Sequence, residues 1–169
     1  MDTLETIQAR GSVRGYRPDP VDDETLTRLL EAARQAPTAA NRQPFRLVVL
    51  HTRGREEEIA RIYHRPWFAQ APVVIGVVAV PGEAWRRGDG KVFDQVDATI
   101  VMDHLVLAAA SLGLGTCWVA DFDSQAAREI LGLPDDVEPV VFTPLGYPAK
   151  DPVATSRRPL AELVKYERW

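Results

Sequence analysis

The sequence predicts a single domain in which helices cover both faces of a central β-sheet. Its 169 residues suit one hydrophobic core, since one core usually serves about 100 to 200 residues. Four short segments rich in β-branched and aromatic residues, each bounded by Gly or Pro, predict strands at 45–50, 73–80, 116–120 and 140–145. Segment 73–80 is apolar nearly throughout, so we expect it at the centre of the sheet with helices on both sides.

Two longer segments have helical periodicity. Segment 22–35 places four apolar residues on one helical face, namely Leu26, Leu29, Leu30 and Ala33. Pro37 then forces the chain out of helical geometry. Segment 96–112 is apolar almost all round, which requires cover on several sides from its own domain or from a second subunit. Gly113 and Gly115 end this helix, and between it and segment 73–80 we expect a loop at 81–94.

Composition and charge argue against several classes of partner. The formal charge of −4 offers no attraction to nucleic acid or to anionic membranes. The longest apolar stretch, 98–112, falls short of the roughly 20 residues of a membrane span. Cys117 is the sole cysteine, which excludes an intrachain disulfide, and residues 1–8 do not resemble a signal peptide. We therefore expect a cytoplasmic protein.

The usual catalytic motifs are missing from the sequence. Three scattered histidines, His51, His64 and His104, lack ligand spacing, so a zinc site is not expected. The sequence has no GxSxG elbow, and Cys117 lies in an apolar run where a thiol is usually a small hydrophobe. The glycines of 113–115 follow a helix and precede a strand, which is the reverse of a Rossmann fingerprint.

Positive and polar groups remain at three breaks in the chain, at 10–14, 37–45 and 157–158. Taken singly, each has an ordinary explanation: a helix cap at Gly11, a helix stop at Pro37, and a solvated pair of arginines near the C-terminus. Their occurrence together is what favours a function.

Four motifs in register resemble the nitroreductase family over essentially the whole chain. They are Arg10-Gly-Ser-Val-Arg-Gly-Tyr16, Ala36-Pro-Thr-Ala-Ala-Asn-Arg-Gln-Pro-Phe45, Asp97-Ala98 leading to Leu107-Ala-Ala-Ala-Ser-Leu-Gly-Leu-Gly-Thr-Cys117, and Leu145-Gly-Tyr-Pro148 followed by Arg157-Arg-Pro-Leu160. The resemblance implies an α+β fold with a mixed or antiparallel central sheet flanked by helices. It also implies an intertwined homodimer that holds FMN between its subunits, with the C-terminal arm, 150–169, exchanged onto the partner's sheet.

By the same resemblance, the N-terminal motif lines the flavin through Arg10, Gly11, Ser12 and Arg14. Arg10 and Ser12 lie toward the phosphate and ribityl end, and Arg14 lies at the pyrimidine edge. Arg157 completes the grip on the phosphate. Guanidinium groups match phosphate oxygens in bidentate fashion, and a cation at the pyrimidine edge stabilises the charge of reduced flavin.

Two further segments are expected beside the flavin. Pro37, Thr38 and Ala39 pack on the isoalloxazine from the partner subunit, with Asn41 and Gln43 as polar contacts, although many family members have two serines where this chain has Thr-Ala. Ala120 and Asp121 stand where many members have Glu-Gly, whose backbone N–H groups approach flavin N5 and O4.

The resemblance implies transfer of a hydride from NADH or NADPH, through flavin N5, to a small planar acceptor such as a nitroaromatic or a quinone. The cofactor carries the chemistry, so no catalytic acid or nucleophile is expected. Alternatives are a flavoenzyme of the same fold with other chemistry (dehalogenation, heterocycle oxidation or flavin breakdown) and a flavin-binding protein without turnover. Trp85 or Phe93 in loop 81–94 would act as a lid or, on the simpler interpretation, pack on its own subunit.

Overall fold

A computed structural model describes residues 1–153 and 155–169 of the chain. The strands are β1 (Phe45–His51), β2 (Val73–Ala79), β3 (Gly115–Thr116) and β4 (Glu138–Gly146). The α-helices are α1 (Thr3–Ala9), α2 (Asp23–Arg34), α3 (Glu56–Ala60), α4 (Pro66–Gln70), α5 (Asp94–Ser111), α6 (Ser124–Leu131) and α7 (Leu160–Leu163). The four strands form one antiparallel sheet in the order β1-β2-β4-β3. The predicted α+β class is confirmed.

Strand β2 lies at the centre of the sheet, as its apolar sequence predicted. It pairs with β1 on one side and with β4 on the other, and all of its residues are buried. Val73, Ile75 and Val77 enter the core formed with α2 and α5. Val74 enters a second core formed with α3, α4 and α6. Alternation along one strand therefore supplies both layers of the domain.

The two predicted helices are present with small shifts at their ends. Helix α2 begins after Asp22, whose side chain accepts a hydrogen bond from the Thr25 N–H. An oxygen acceptor at this position satisfies a backbone donor that the first turn leaves without a partner. Helix α5 begins at Asp94, two residues before the predicted start.

Loop 81–94 is more ordered than a simple connection. It begins with a 3₁₀ turn, Pro81–Glu83, and Arg86 pairs with Val92 in an isolated antiparallel bridge. Trp85 packs edge-on against Phe93 of the same chain, with 5.2 Å between the ring centroids.

The third strand is much shorter than predicted. The sequence indicated 116–120, whereas β3 comprises only Gly115–Thr116 and Val119 makes a separate bridge to Phe142. The cause is local. The Cys117 N–H donates to the side-chain hydroxyl of Thr143 at 3.0 Å instead of to a backbone carbonyl, so the ladder is interrupted after Thr116.

The C-terminal arm lies largely exposed. Its large apolar side chains, Leu160, Leu163, Tyr166 and Trp169, are all solvent-accessible, and Trp169 is completely so. Within the part of the chain that the structure describes, no helix combines the length and apolarity needed to cross a bilayer.

Candidate functional site

The segment Arg10 to Tyr16 is fixed to the sheet by its backbone. The Val13 N–H donates to the carbonyl of Thr116 in β3 at 2.8 Å, and Ser12 bridges the same residue in parallel fashion. The Tyr16 hydroxyl donates to the Val13 carbonyl at 2.8 Å. Burial raises the pKa of this hydroxyl well above its ordinary value, so it remains a donor at any physiological pH.

Two glycines permit the close approaches that shape this segment. A Cβ on Gly115 would lie 2.8 Å from Val13 Cγ2, so only glycine lets the Val13 side chain seat against β3. A Cβ on Gly11 would lie 2.7 Å from the Cβ of Pro152. The N-terminal motif therefore packs directly on the start of the C-terminal arm.

Two adjoining clefts open where the ends of the chain meet. The first contains Arg10 and Gly11 and is also lined by the end of α5, β3 and Pro148. The second, of about 490 Å³, is lined by Ser12 and Arg14 on one side and by the arm on the other. Pro152 lines both clefts, so they are neighbours.

The arginines predicted to bind the flavin are not neutralised by carboxylates of the described residues. In residues 1–153 and 155–169, none of Arg10, Arg14 and Arg157 forms an ion pair with a carboxylate, although seven other pairs are present. The Arg14 guanidinium lies 5.9 Å from the centroid of the Trp67 ring, within cation–π range. Trp67 was not predicted as a site residue, because nothing in the sequence of α4 links it to Arg14.

The segment from Thr38 to Gln43 forms a strained loop. Three non-glycine residues have left-handed backbone conformations, with φ of 52° at Ala40, 54° at Asn41 and 53° at Gln43. Such conformations are uncommon outside glycine and cluster at functional sites. The loop bonds mainly to itself: Thr38 accepts from the Asn41 N–H and, through its hydroxyl, from the Gln43 N–H.

One bond joins this loop to a distant part of the chain. The Ala39 N–H donates to Oδ1 of Asp97 at 2.9 Å, across 58 positions of sequence. Asp97 lies in the first turn of α5 and is only 2% exposed. Burial raises its pKa, the neighbouring Asp94 carboxylate adds to that rise, and the Ala39 N–H opposes it. Oδ2 of Asp97 has no hydrogen-bond partner among the described residues.

The remaining predicted residues lie apart from the two clefts in a single chain. Ala120 and Asp121 are exposed, between the bridge at Val119 and α6. Arg157 is exposed, and its guanidinium donates to the Thr155 side chain. The clefts that contain Arg10 and Arg14 are not lined by the loop of Thr38 to Gln43, by Ala120 or Asp121, or by Arg157. Within one chain, the N-terminal motif therefore meets the start of the arm, whereas the other predicted segments lie outside the two clefts.

Comparison with known proteins relates the whole chain to one family. The model of the Nitroreductase family matches residues 7–64 and 57–147. A Thermus thermophilus protein named NADH dehydrogenase is 30% identical over 97% of this chain and 95% of its own length.

Solved structures agree with the family model. A nitroreductase family protein from Clostridium difficile superposes with a TM-score of 0.90 at 35% identity, covering 100% of both chains. A structure from Desulfovibrio desulfuricans in complex with FMN superposes with a TM-score of 0.85 at 28% identity, covering 100% of this chain and 98% of that one. The four motifs, the fold and these relatives agree: the chain belongs to the nitroreductase family.

Proposed function

We propose that this chain is an FMN-dependent oxidoreductase that transfers a hydride from NADH or NADPH to a small planar acceptor such as a nitroaromatic or a quinone. Membership of the family supports this proposal, as do the FMN held by the Desulfovibrio desulfuricans structure and the name of the Thermus thermophilus relative. When bound, FMN supplies the redox chemistry, since its N5 accepts a hydride and the reduced ring passes two electrons on.

The observation that carries the proposal is the set of unpaired cations beside the junction of the N-terminal motif and the arm. In a chain of net charge −4, guanidinium groups without carboxylate partners favour an anionic ligand. Arg10 would hold the FMN phosphate in bidentate fashion, and the exposed hydroxyl of Ser12 would bond the ribityl chain. Arg14, oriented by Trp67, would lie at the pyrimidine edge and favour the reduced flavin.

A second copy of the chain would supply the other contacts. Thr38 to Gln43, Ala120, Asp121 and Arg157 do not line the clefts of their own chain, which fits a site shared between subunits. The exposed apolar side chains of the arm favour the same homodimer, because a second subunit would bury them. Helix α5 favours it too, because it is apolar on nearly all sides. A cytoplasmic location completes the proposal, supported by the buried free thiol of Cys117.

The residues around the clefts suit binding rather than proton transfer. Among the described residues that line the two clefts there is no histidine and no cysteine. In our proposal the chain therefore holds the cofactor, orients the donor and the acceptor against one flat face, and leaves the bond-making steps to the flavin.

The decisive experiment is the visible spectrum of the purified protein, followed by anaerobic addition of NADH or NADPH. We expect a yellow protein that bleaches on addition of one of these donors and regains its colour when a quinone or nitroaromatic is added. A colourless protein that also fails to bind added FMN would refute the proposal. A yellow protein that neither donor bleaches would favour flavin binding without turnover, and one that is bleached but not reoxidised by either acceptor would favour a different reaction on the same fold.

A further inference from the structure

A buried carboxylate lies behind the predicted flavin-facing loop, in hydrogen-bond contact with the backbone of the loop. Asp97 is 2% exposed in the first turn of α5, beside the completely buried side chains of Ala98 and Val101. Burial of a carboxyl group is costly, and a buried oxygen without a partner adds to that cost. A residue kept at such a cost calls for a reason, and the geometry around Asp97 offers one.

The loop of Thr38 to Gln43 makes one hydrogen bond to a distant element among the described residues, and Asp97 accepts it. Its other hydrogen bonds in the described ranges join residues within Thr38 to Phe45, so they shape the loop without tying it to a neighbour. Among the described residues, the bond from the Ala39 N–H to Asp97 Oδ1 is the one that joins the loop to a distant element, and the chain is next anchored at Pro44, whose carbonyl accepts from the Val80 N–H at 2.9 Å. Three left-handed residues follow Ala39 directly or closely, so the loop needs such a tie to persist.

The hydrogen bond between Ala39 and Asp97 joins the loop that follows α2 to the start of α5. Helix α5 packs against α2 and the sheet, with Met102 and Leu105 completely buried one and two turns beyond Asp97. Helix α2 ends at Arg34, only a few residues before the loop. A carboxylate at the start of α5 is therefore a fixed point from which the backbone of the loop can be positioned.

We infer that Asp97 is a positioning residue that holds the loop of Thr38 to Gln43 in its strained conformation for contact with the flavin. The inference rests on the proposed function for its cofactor, but the tie itself exists with or without one. Asp97 need not touch the flavin. Its carboxyl acts through the Ala39 backbone, in the way that groups behind a binding site orient those that make the contacts.

The test compares two substitutions of Asp97 with a matched control. Asp97→Ala removes the acceptor, Asp97→Asn keeps an oxygen that can accept from the Ala39 N–H, and Asp94→Asn removes a buried charge from the same helical turn without touching the loop. The first measurement is amide hydrogen exchange in the flavin-free protein. We expect exchange across residues 39–43 to be about tenfold faster in Asp97→Ala, and near the wild-type rate in Asp97→Asn and Asp94→Asn.

The second measurement is the dissociation constant of FMN with the visible circular dichroism of the bound flavin. We expect Asp97→Ala to bind FMN about tenfold to a hundredfold more weakly with an altered spectrum, and Asp97→Asn to restore both. Unchanged exchange in Asp97→Ala would overturn the inference. So would faster exchange with unchanged FMN affinity and spectrum, or a loss in Asp94→Asn equal to that in Asp97→Ala.

A second variant covers the case in which Asp97→Ala does not fold. Ala39→Pro removes the N–H donor from the other side, and Thr38 has the extended conformation, φ −129° and ψ 155°, that a residue before proline prefers. It should weaken FMN binding as Asp97→Ala does, and normal affinity in a folded Ala39→Pro protein would overturn the inference. If the wild-type protein binds no FMN, the proposed function fails and the positioning role fails with it, while the exchange data still report whether the tie holds the loop.

Discussion

The two segments predicted to contact the flavin are held in place by different means. The Arg10 to Tyr16 segment is joined to β3 through the backbone of Val13 and is wedged between Gly115 and Pro152. The Thr38 to Gln43 loop is shaped by its own hydrogen bonds and, among the described residues, makes one bond to a distant element, the bond to Asp97, before the chain is anchored at Pro44 by the Val80 N–H. The first segment therefore shares the contacts of the sheet, whereas the interior of the second is held to a distant element by one hydrogen bond.

This difference separates the consequences of mutation. Damage to the first segment should cost global stability, because its contacts are part of the core. Damage to the second should be local, because few buried contacts are lost when a surface loop is released. Three predictions, in order of expected effect, test the packing of the first segment, the phosphate contact that the C-terminal arm would add to it, and the carboxyl group that holds the second.

The largest effect is expected for Gly115→Val. The new Cβ would meet the side chain of Val13 at 2.8 Å, so either β3 or the N-terminal motif must move. Overpacking of this kind typically lowers the free energy of unfolding by about 1–3 kcal/mol, and here it should also displace Arg14 and weaken FMN binding. Urea denaturation and flavin titration measure the two effects. Gly88→Ala is the control, because a Cβ at Gly88 meets nothing within 4 Å. Equal free energies of unfolding for the two variants would contradict the close packing of Val13 against Gly115.

A smaller effect is expected for Arg157→Ala. We predict that this variant binds FMN about tenfold more weakly. This is the low end of the effect expected for loss of a hydrogen bond to a charged group, because Arg157 is exposed and solvent screens its charge. The rate of reduction by NADH, measured on fully loaded enzyme, should change much less. Arg158→Ala is the matched control, since the Arg158 guanidinium is already paired with Glu162 at 2.9 Å. Unchanged flavin affinity in Arg157→Ala would show that the phosphate is held by other groups.

The smallest effect is expected in the pH dependence of stability. The pKa of Asp97 is raised in the folded protein by burial and by Asp94, so the folded state binds the proton more tightly than the unfolded state does. Stability from the neutral carboxyl is complete below the ordinary Asp pKa of about 3.9 and is lost as pH rises toward the folded value, with a slope of at most about 1.4 kcal/mol per pH unit.

Asp97→Asn should remove this slope, and Asp103→Asn on the exposed face of the same helix should keep it. Urea denaturation at several pH values above about 4 gives the comparison. Parallel profiles for Asp97→Asn and wild type would contradict the assignment of the slope to Asp97.

Most of the sheet could be predicted from the sequence, because its information is local. Strands β1, β2 and β4 lie where apolar runs bounded by Gly or Pro predicted them. The apolar character of α5 on nearly all sides likewise follows from its composition. The predicted length of β3 was wrong, because the strand is ended by the hydroxyl of Thr143, a residue on another strand. Short helices such as α3 and α4 span five residues each, too few for periodicity to reveal them.

The candidate site divides in the same way. Resemblance to the family indicated the N-terminal motif and the loop after Pro37, and the structure places Arg10, Ser12 and Arg14 in adjoining clefts. The roles of Trp67 and Asp97 could not be predicted. Each acts through a contact between distant parts of the chain, and a contact across 58 positions leaves no trace in spacing or composition.

The contact between Gly11 and Pro152 bears on how the protein is made. Synthesis is vectorial, so the N-terminal motif leaves the ribosome long before the residue on which it packs. Strand β2 can pair early with β1, but its other edge waits for β4, which follows much later in the chain. Because contacts between remote residues are slow to form, nascent chains will hold β2 with one apolar edge open until β4 has emerged, and they will be good clients for chaperones.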